Sequence, residues 1–321
     1  MSIGAETIAV TVTDIVTVNE LVTRFKFKRT DGKLLPAFSG GAHIVVEMQH
    51  GDQQRRNPYS LMSSPFDLSY YSISIRRDDK GRGGSLFMHQ EVGIGDEMTI
   101  SYPVNVFSLD MRAKKYLMIA GGIGITPFLA QIPQISCLHG HFELHYSVRS
   151  SALGSYVGYL TAQYPNNVHT YYSDHKQYLD LDKLLTKQPL GTHLYICGPK
   201  GMIEWVCKTA AKYGWPRETV HYEEFLTPRS GKPFQVTLAV SNKTIEVSAN
   251  QSLLEAMESA GVEAPYLCRG GVCGQCETDV CSSEGHFIHN DHWLNDEQRA
   301  SGKKMMPCVS RFEGKSLVID R

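Results

Sequence analysis

Apolar and polar positions change rhythm twice along the 321 residues. In Tyr71-Ser72-Ile73-Ser74-Ile75 apolar and hydroxyl side chains alternate, the period of a half-buried strand. Glycine-rich turns at Gly40-Gly41, Gly81 to Gly84 and Gly93 to Gly95 separate such runs, and several short strands with regular turns predict a small β-barrel over residues 1–107. From 112 to 226 the apolar runs become continuous. Tyr116-Leu117-Met118-Ile119-Ala120 reads as a buried parallel strand ending in glycines, and His193-Leu194-Tyr195-Ile196-Cys197 repeats it. After the second run, Met202, Ile203, Val206, Cys207 and Ala210 fall on one helical face, with Gly214 placed to close the helix. Strands alternating with helices predict a parallel α/β sheet. Thr227 to Pro233 is polar, rich in Pro and Gly, and reads as a linker. A third segment, 233–321, opens with Phe234, Val236, Leu238 and Val240 alternating with Gln235, Thr237 and Ala239. In it, Ser252-Leu253-Leu254-Glu255 has the form of a capping box, and Gly261 is placed to end that helix.

Composition narrows the function. Apolar residues make up 42% and charged residues 20%, enough to bury real cores. Lys+Arg is 32 against Asp+Glu 33, so nothing favours nucleic acid or an anionic membrane surface. The longest apolar run, Tyr116 to Ile125, falls far short of the ~18 residues a spanning helix needs. The opening M-S-I-G-A-E-T lacks the pattern of a signal peptide, so a cytoplasmic protein is expected. Eight cysteines are too few for a disulfide scaffold. Cys268, Cys273, Cys276, Cys281 and Cys308 crowd into the C-terminal segment, which places a metal site there.

Cys268-Arg269-Gly270-Gly271-Val272-Cys273-Gly274-Gln275-Cys276, followed much later by Cys308, has the plant-type spacing C-x₄-C-x₂-C…C of a 2Fe-2S cluster. Two irons need four thiolates. Gly270, Gly271 and Gly274 let the backbone bend around inorganic sulfide without Cβ clashes. A structural zinc site is the alternative, but zinc prefers paired C-x₂-C knuckles and only one occurs. Cys281 lies outside the pattern and reads as a buried thiol. His286, His289 and His292 form an H-x₂-H-x₂-H run, better explained as a polar loop leading into a helix capped at Asn295 with Gln298 at N3.

Two strand-end motifs stand in the middle segment. Gly121-Gly122-Ile123-Gly124-Ile125-Thr126-Pro127 follows a buried strand and precedes a helix. The glycines allow close approach to a pyrophosphate, Thr126 is expected to cap the helix and Pro127 fits its first turn. An ordinary tight strand–helix turn would read the same way. Cys197-Gly198-Pro199 ends the second buried strand, at the carboxyl edge where parallel sheets carry ligands. Cys197 alone reads equally as a core cysteine. In the N-terminal segment, Asn57-Pro58-Tyr59-Ser60-Leu61 supplies a ring and a hydroxyl. Gly81-Arg82-Gly83-Gly84-Ser85 is a loop able to form a backbone nest for a phosphate; a hairpin turn plus a core tyrosine is the alternative.

The order of modules and these residues resemble the phthalate dioxygenase reductase family, FMN-containing, pyridine-nucleotide-dependent iron–sulfur reductases of Rieske-type oxygenase systems. The resemblance spans essentially the whole chain and is greatest to carnitine monooxygenase reductase subunits, which share the Asn-x-Tyr-Ser-Leu form. It implies a multidomain fold: a β-barrel flavin domain (1–107), an α/β parallel-sheet nucleotide domain (112–226) and an α+β plant-type ferredoxin domain (233–321). It further implies that Asn57, Tyr59, Ser60, Ile75 and Arg76 line the flavin site and that Gly84 and Ser85 bind the FMN phosphate. Gly122, Gly124, Thr126, Arg149, Gly198 and Pro199 would meet the nicotinamide nucleotide. Cys197 would lie near the hydride-transfer position, and Phe225 by the flavin. Cys268, Cys273, Cys276 and Cys308 would hold the cluster. One departure stands out: the superfamily motif is R-x-Y-S, and here the Arg position is Asn57. Either Arg56 or Arg76 is expected to make up the missing charge, or the flavin to bind more weakly.

The implied partner is a Rieske-type terminal oxygenase, possible substrates including carnitine or a related amine, with the reductase a monomer in isolation. Two alternatives differ: the same chemistry serving a diiron hydroxylase or a cytochrome, or a ferredoxin-like carrier with a non-catalytic front half. The strand His141 to Val148 is followed by Arg149-Ser150-Ser151, with no further Lys or Arg before Lys176 and with Asp174 nearby. A lone exposed Arg discriminates weakly for a 2′-phosphate, so NADH is expected over NADPH.

Overall fold

The computed structural model describes residues 6–50, 53–226 and 228–321. Residues 1–5, and Thr227 of the expected linker, lie outside them. The N-terminal alternation resolves into strands β1 (Thr7–Asn19), β2 (Val22–Arg29), β3 (Ala42–His50), β4 (Gln53–Ser60), β5 (Tyr71–Arg76), β6 (Glu97–Ser101) and β7 (Val104–Asn105), with helix α1 (Gly84–Gln90) between β5 and β6. They form one sheet of order β4-β3-β6-β1-β2-β5, with β7 on β3. It curls around a shared core of Val10, Val12, Phe25, Phe27, Ile44, Val46, Ile73, Ile75 and Ile100.

Strand β5 departs from its expected half-burial. Every residue from Tyr71 to Ile75 is buried. The reason lies far away in sequence: the Ser74 hydroxyl bonds the Tyr156 hydroxyl, so the polar face of the strand is covered as well.

The middle segment forms β8 (Lys115–Gly121), β9 (His141–Val148), β10 (Val168–Tyr172), β11 (Thr192–Cys197) and β12 (Val220–Glu223), with helices α2 (Thr126–Cys137), α3 (Val157–Gln163), α4 (Leu181–Thr186) and α5 (Lys200–Lys212). The sheet is parallel, in the order β10-β9-β8-β11-β12. One face packs Met118, Ala120, Phe128, Ile132 and Tyr146 together. The other packs Leu117, Ile119, Leu194, Ile203 and Val206. Burial on both faces explains the continuous apolar runs. The chain steps outward from β8 in one direction to β10, then returns to place β11 on β8's other side, which opens a crevice at the carboxyl ends of β8 and β11.

Barrel and parallel sheet together make one compact unit, Ile8–Phe225. The Asn19 amide donates to Ser155 Oγ at 3.0 Å and to the Leu153 carbonyl at 3.4 Å. The Gly40 N–H donates to Gln134 Oε1 at 2.7 Å. The stretch between the two sheets is tied down as well: Gln131 Nε2 donates to the Phe107 carbonyl, and the Asp110 N–H to the Tyr195 hydroxyl, each at 2.7 Å.

Leu226–Arg321 belongs to a second compact unit. It holds β13 (Phe234–Leu238), β14 (Lys243–Val247), β15 (Thr278–Ile288), β16 (Lys304–Met305) and β17 (Arg311–Ile319), with α6 (Leu253–Ser259) and α7 (Asp296–Ser301). The order is β14-β13-β17-β15-β16. Its own core contains Val236, Leu238, Leu254, Met257, Phe312 and Leu317. Both expected caps form as full capping boxes, Ser252 with Glu255 and Asn295 with Gln298. Val240 falls beyond the strand and is 74% exposed. Cys281 is exposed rather than buried, because β15 projects through that stretch with its side chains in solvent. Among the described residues no helix is long and apolar enough to cross a membrane.

Candidate functional site

The carboxyl ends of β8 and β11 meet closely. A Cβ on Gly124 would lie 2.3 Å from the Cys197 carbonyl oxygen, so only glycine lets the two strand ends approach. Gly122 to Ile125 make a single 3-10 turn, and α2 starts at Thr126. Thr126 is therefore the first helical residue and not the cap; it is buried, and its hydroxyl donates to the Ile123 carbonyl at 3.0 Å. Cys197 is fully buried among the core residues under this edge. Burial, with Glu223 adding to it, pushes its thiol well above the usual range, so the sulfur stays protonated.

Above these strand ends lies a cavity of about 340 Å³, within the range of small-ligand sites. It brings together Gly122, Gly124, Arg149, Gly198 and Pro199 from the parallel sheet, Arg76 from the barrel, and Phe225. Asn19, Leu21, Ser155, Lys200 and Glu224 also line it. Sequence reasoning passed over these, because only the fold carries the β1–β2 turn to this edge. The Asp174 N–H donates to the Arg149 carbonyl at 3.0 Å, so Asp174 stands next to the arginine that lines the cavity.

The remaining flavin candidates cluster on the barrel. In the register of β3 and β4, Met48 faces Arg55, Val46 faces Asn57 and Ile44 faces Tyr59. Arg55, Asn57 and Tyr59 thus share one face of β4. Asn57 Nδ2 donates to the Tyr59 hydroxyl at 3.3 Å, and burial pushes that phenol up to about 12. A Cβ on Gly84 would meet Asn57 Nδ2 at 2.4 Å, so the Asn57 side chain rests against the glycine loop. The Ser85 hydroxyl accepts from the Asp78 N–H at 3.0 Å and closes that loop. Ser60 is buried at the end of β4, and Ile75 packs into the barrel core. Arg56 points to the opposite face and pairs with Glu47 at 2.7 Å. A ring, a hydroxyl, a guanidinium and loop amides in one place make a donor set that suits a flavin mononucleotide.

The four candidate metal ligands also converge. Cys268, Cys276 and Cys308 are buried and Cys273 half-buried. Their sulfurs meet in two hydrogen-bonded pairs, Cys268 with Cys273 and Cys276 with Cys308. Two pairs of thiols suit a two-iron centre, one pair to each iron, whereas one zinc gathers four ligands about a single point. The Gly270 N–H points at Cys268 Sγ, 3.4 Å away. The amides of Val272 and Cys273 also aim at Cys268, and that of Gly271 at Cys308. The Cys273 thiol and these amides draw Cys268 down to about 5. The Cys276 sulfur and burial hold Cys308 high. Gly274 takes φ +75°, and a Cβ there would strike the Trp293 indole at 2.3 Å. The histidines of the H-x₂-H-x₂-H run lie outside this set: His289 stands 3.6 Å from Asp291, and His286 3.7 Å from Glu313. Two other His–carboxylate groups occur in the parallel-sheet region, Asp110 with His193 and His221, and Glu143 with His145 and His169. In each the carboxylate is engaged by a cation, Arg112 or Lys115, at 2.6 Å.

Comparison with known proteins agrees with this division. Residues 100–220 match the family model of the N-terminal domain of dimethylamine monooxygenase subunit DmmA-like proteins. Residues 236–313 match the 2Fe-2S iron–sulfur cluster binding domain. A carnitine monooxygenase reductase subunit of Acinetobacter baumannii is 44% identical over 96% of each chain. A heme-dependent oxidative N-demethylase beta subunit of Ectopseudomonas mendocina is 44% identical over 89% of this chain and 90% of that one. The solved structure of phthalate dioxygenase reductase superposes with a TM-score of 0.88 at 32% identity, over 98% of each chain.

Proposed function

Because the chain belongs to the phthalate dioxygenase reductase-like family, with a 2Fe-2S domain at its C-terminal end, we propose that it takes hydride from NADH onto FMN held by the barrel and passes single electrons through the cluster to a terminal oxygenase acting on a methylated amine of the carnitine type. The observation that carries this reading is the cavity lined jointly by Arg76, Phe225 and the glycines of both strand ends. When bound, the flavin converts a two-electron donor into one-electron steps. The chain's own residues position and exclude. Gly124 lets the strand ends close, and Gly198 and Pro199 shape the floor of the cavity. Tyr59 and Cys197 stay neutral and add no charge where hydride moves. The cluster loop supplies three thiols and the amides aimed at the sulfurs, and Cys308 supplies the fourth thiol. A reducing cytoplasm suits a chain whose described cysteines form no disulfide.

Denatured protein should release FMN, one per chain, and metal analysis should find about two irons per chain. Zinc in place of iron, or FAD in place of FMN, would overturn the assignment. Bleaching of the yellow-brown protein by NADH separates it from a carrier with an idle front half. A second reading keeps the chemistry and changes the acceptor, because the heme-dependent oxidative N-demethylase beta subunit is as similar as the carnitine reductase. Anaerobic NADH with each purified oxygenase decides: a reduced Rieske signal supports the first, a shifted Soret band the second.

Nucleotide choice follows from the cavity's cations. Arg149 and Lys200 both line it; the Asp174 backbone N–H bonds the Arg149 carbonyl, which keeps Asp174 in the neighbouring turn, and Lys200 lies 4.0 Å from Glu204. An exposed contact between one such cation and a phosphate contributes about 0–1 kcal/mol, too little to favour a 2′-phosphate. NADH should therefore show the higher kcat/KM in steady-state assays; an equal or higher value for NADPH defeats this reading.

A further inference from the structure

We infer that Asn19 is the positioning residue that holds the Arg149 loop of the nucleotide site, and so sets how tightly NADH binds. This rests on the reductase reading of the cavity. Asn19 ends β1 and lines the cavity together with Leu21, Arg149, Leu153 and Ser155. Its amide is used at both ends. Oδ1 accepts from the Leu21 N–H at 3.0 Å, within its own turn. Nδ2 donates to Ser155 Oγ at 3.0 Å and to the Leu153 carbonyl at 3.4 Å, both in the loop that leaves β9. These partners fix which way the amide points, since an N–H can only donate and a carbonyl can only accept. A carboxylate of the same shape would lack the donor, and a methyl would lack both ends.

The β1–β2 turn is a firm platform for this grip. The Arg77 N–H donates to the Leu21 carbonyl at 2.7 Å, which ties the turn to the end of β5, beside the cavity's Arg76. The loop it holds is less regular. Between β9 and α3 that loop makes one 3-10 turn, Ser151–Leu153, and enters α3 through Tyr156 at φ +63°. Left-handed backbone at a tyrosine is strained, so contacts must hold it. The Tyr156 and Ser74 hydroxyls, 2.5 Å apart, fix the far end of the loop, and Asn19 fixes its centre. Ser155 is 2% exposed, whereas the Arg149 side chain stands in solvent. Asn19 thus grips the buried part of the loop whose exposed arginine lines the cavity. The reacting end is separate: Gly124 and Cys197 approach each other on the strand ends, whereas Asn19 bonds Leu21, Leu153 and Ser155. Loss of the grip therefore weakens nucleotide binding and spares hydride transfer.

The test uses the full-length holoprotein in anaerobic stopped flow, with NADH as the probe. The limiting rate of flavin reduction reports hydride transfer, and the half-saturating NADH concentration reports binding. Asn19→Ala should raise the half-saturating concentration by about tenfold, the scale of two neutral hydrogen bonds, and change the limiting rate by less than about twofold. Ser155→Ala should raise it by about threefold, and the double variant should be no worse than Asn19→Ala, because the two changes remove a shared contact. Gln134→Ala is the control. It breaks the 2.7 Å bond from the Gly40 N–H, which also joins barrel to parallel sheet but lies outside the cavity lining, and it should leave the half-saturating concentration as in the unaltered protein. An unchanged half-saturating concentration in Asn19→Ala overturns the assignment. So does an equal rise in Gln134→Ala, which would mean that any loosening between the two sheets suffices. Loss of flavin from Asn19→Ala would mean a merely structural role and overturn it as well. If NADH does not reduce the flavin of the unaltered protein, the reductase reading itself fails; that outcome needs no variant and is distinct from the others.

Discussion

Cys308→Ser is expected to abolish NADH-driven reduction of cytochrome c while flavin reduction by NADH continues. Cys308 is 2% exposed, packs in the core of the C-terminal unit and pairs with Cys276. A serine hydroxyl ionises far less readily than a thiol and makes a poor iron ligand, so one iron would lose half of its protein anchorage. In the proposed reading hydride transfer belongs to Ile8–Phe225, a separate compact unit, and is untouched. Cys281 cannot take over, since it sits exposed on β15. Stopped-flow absorbance separates the two half-reactions. If Cys281→Ser loses cytochrome c reduction and Cys308→Ser keeps it, the ligand set is wrong.

Gly124→Ala should lower kcat/KM for NADH by roughly a hundredfold, the scale of an ångström-sized displacement at a reacting centre. The added Cβ would lie 2.3 Å from the Cys197 carbonyl oxygen. Backbone cannot yield as a flexible side chain does, so the two strand ends must separate and the floor of the cavity shifts. Gly122→Ala is the instructive contrast. Its φ is +55° but open space surrounds the position, so it carries backbone strain of about 1 kcal/mol without a collision. Flavin content and the cluster spectrum should be unchanged in both. A Gly124→Ala enzyme with the unaltered rate of flavin reduction would show that close approach of the strand ends is not needed.

The parts most legible in the sequence are those where covalent chemistry or local hydrogen bonding sets the spacing. Cluster ligation requires C-x₄-C-x₂-C, and a capping box requires its partners three residues apart, so Cys268 to Cys276, Ser252 with Glu255 and Asn295 with Gln298 could be read directly. What depended on distant partners was not legible. Ser74 is buried because Tyr156, eighty-two residues later, reaches it. Thr126 reads as a cap until the 3-10 turn before it moves the helix start by one residue. Arg56 is nearest to Asn57 in the chain and so drew attention as its substitute. Strand alternation turns it toward Glu47 and brings Arg55 to the Gly81–Ser85 loop instead.

The hydrogen bonds from Asn19 to Ser155 and Leu153, from Gly40 to Gln134, and between Ser74 and Tyr156 bear on how such reductases can be recombined by evolution or by design. A barrel grafted onto a foreign parallel sheet would forfeit every one of these matched positions at once. The working cassette is therefore residues 8–225 as a whole, and the seam at which a different iron–sulfur module can be exchanged lies after Phe225, where a new core begins.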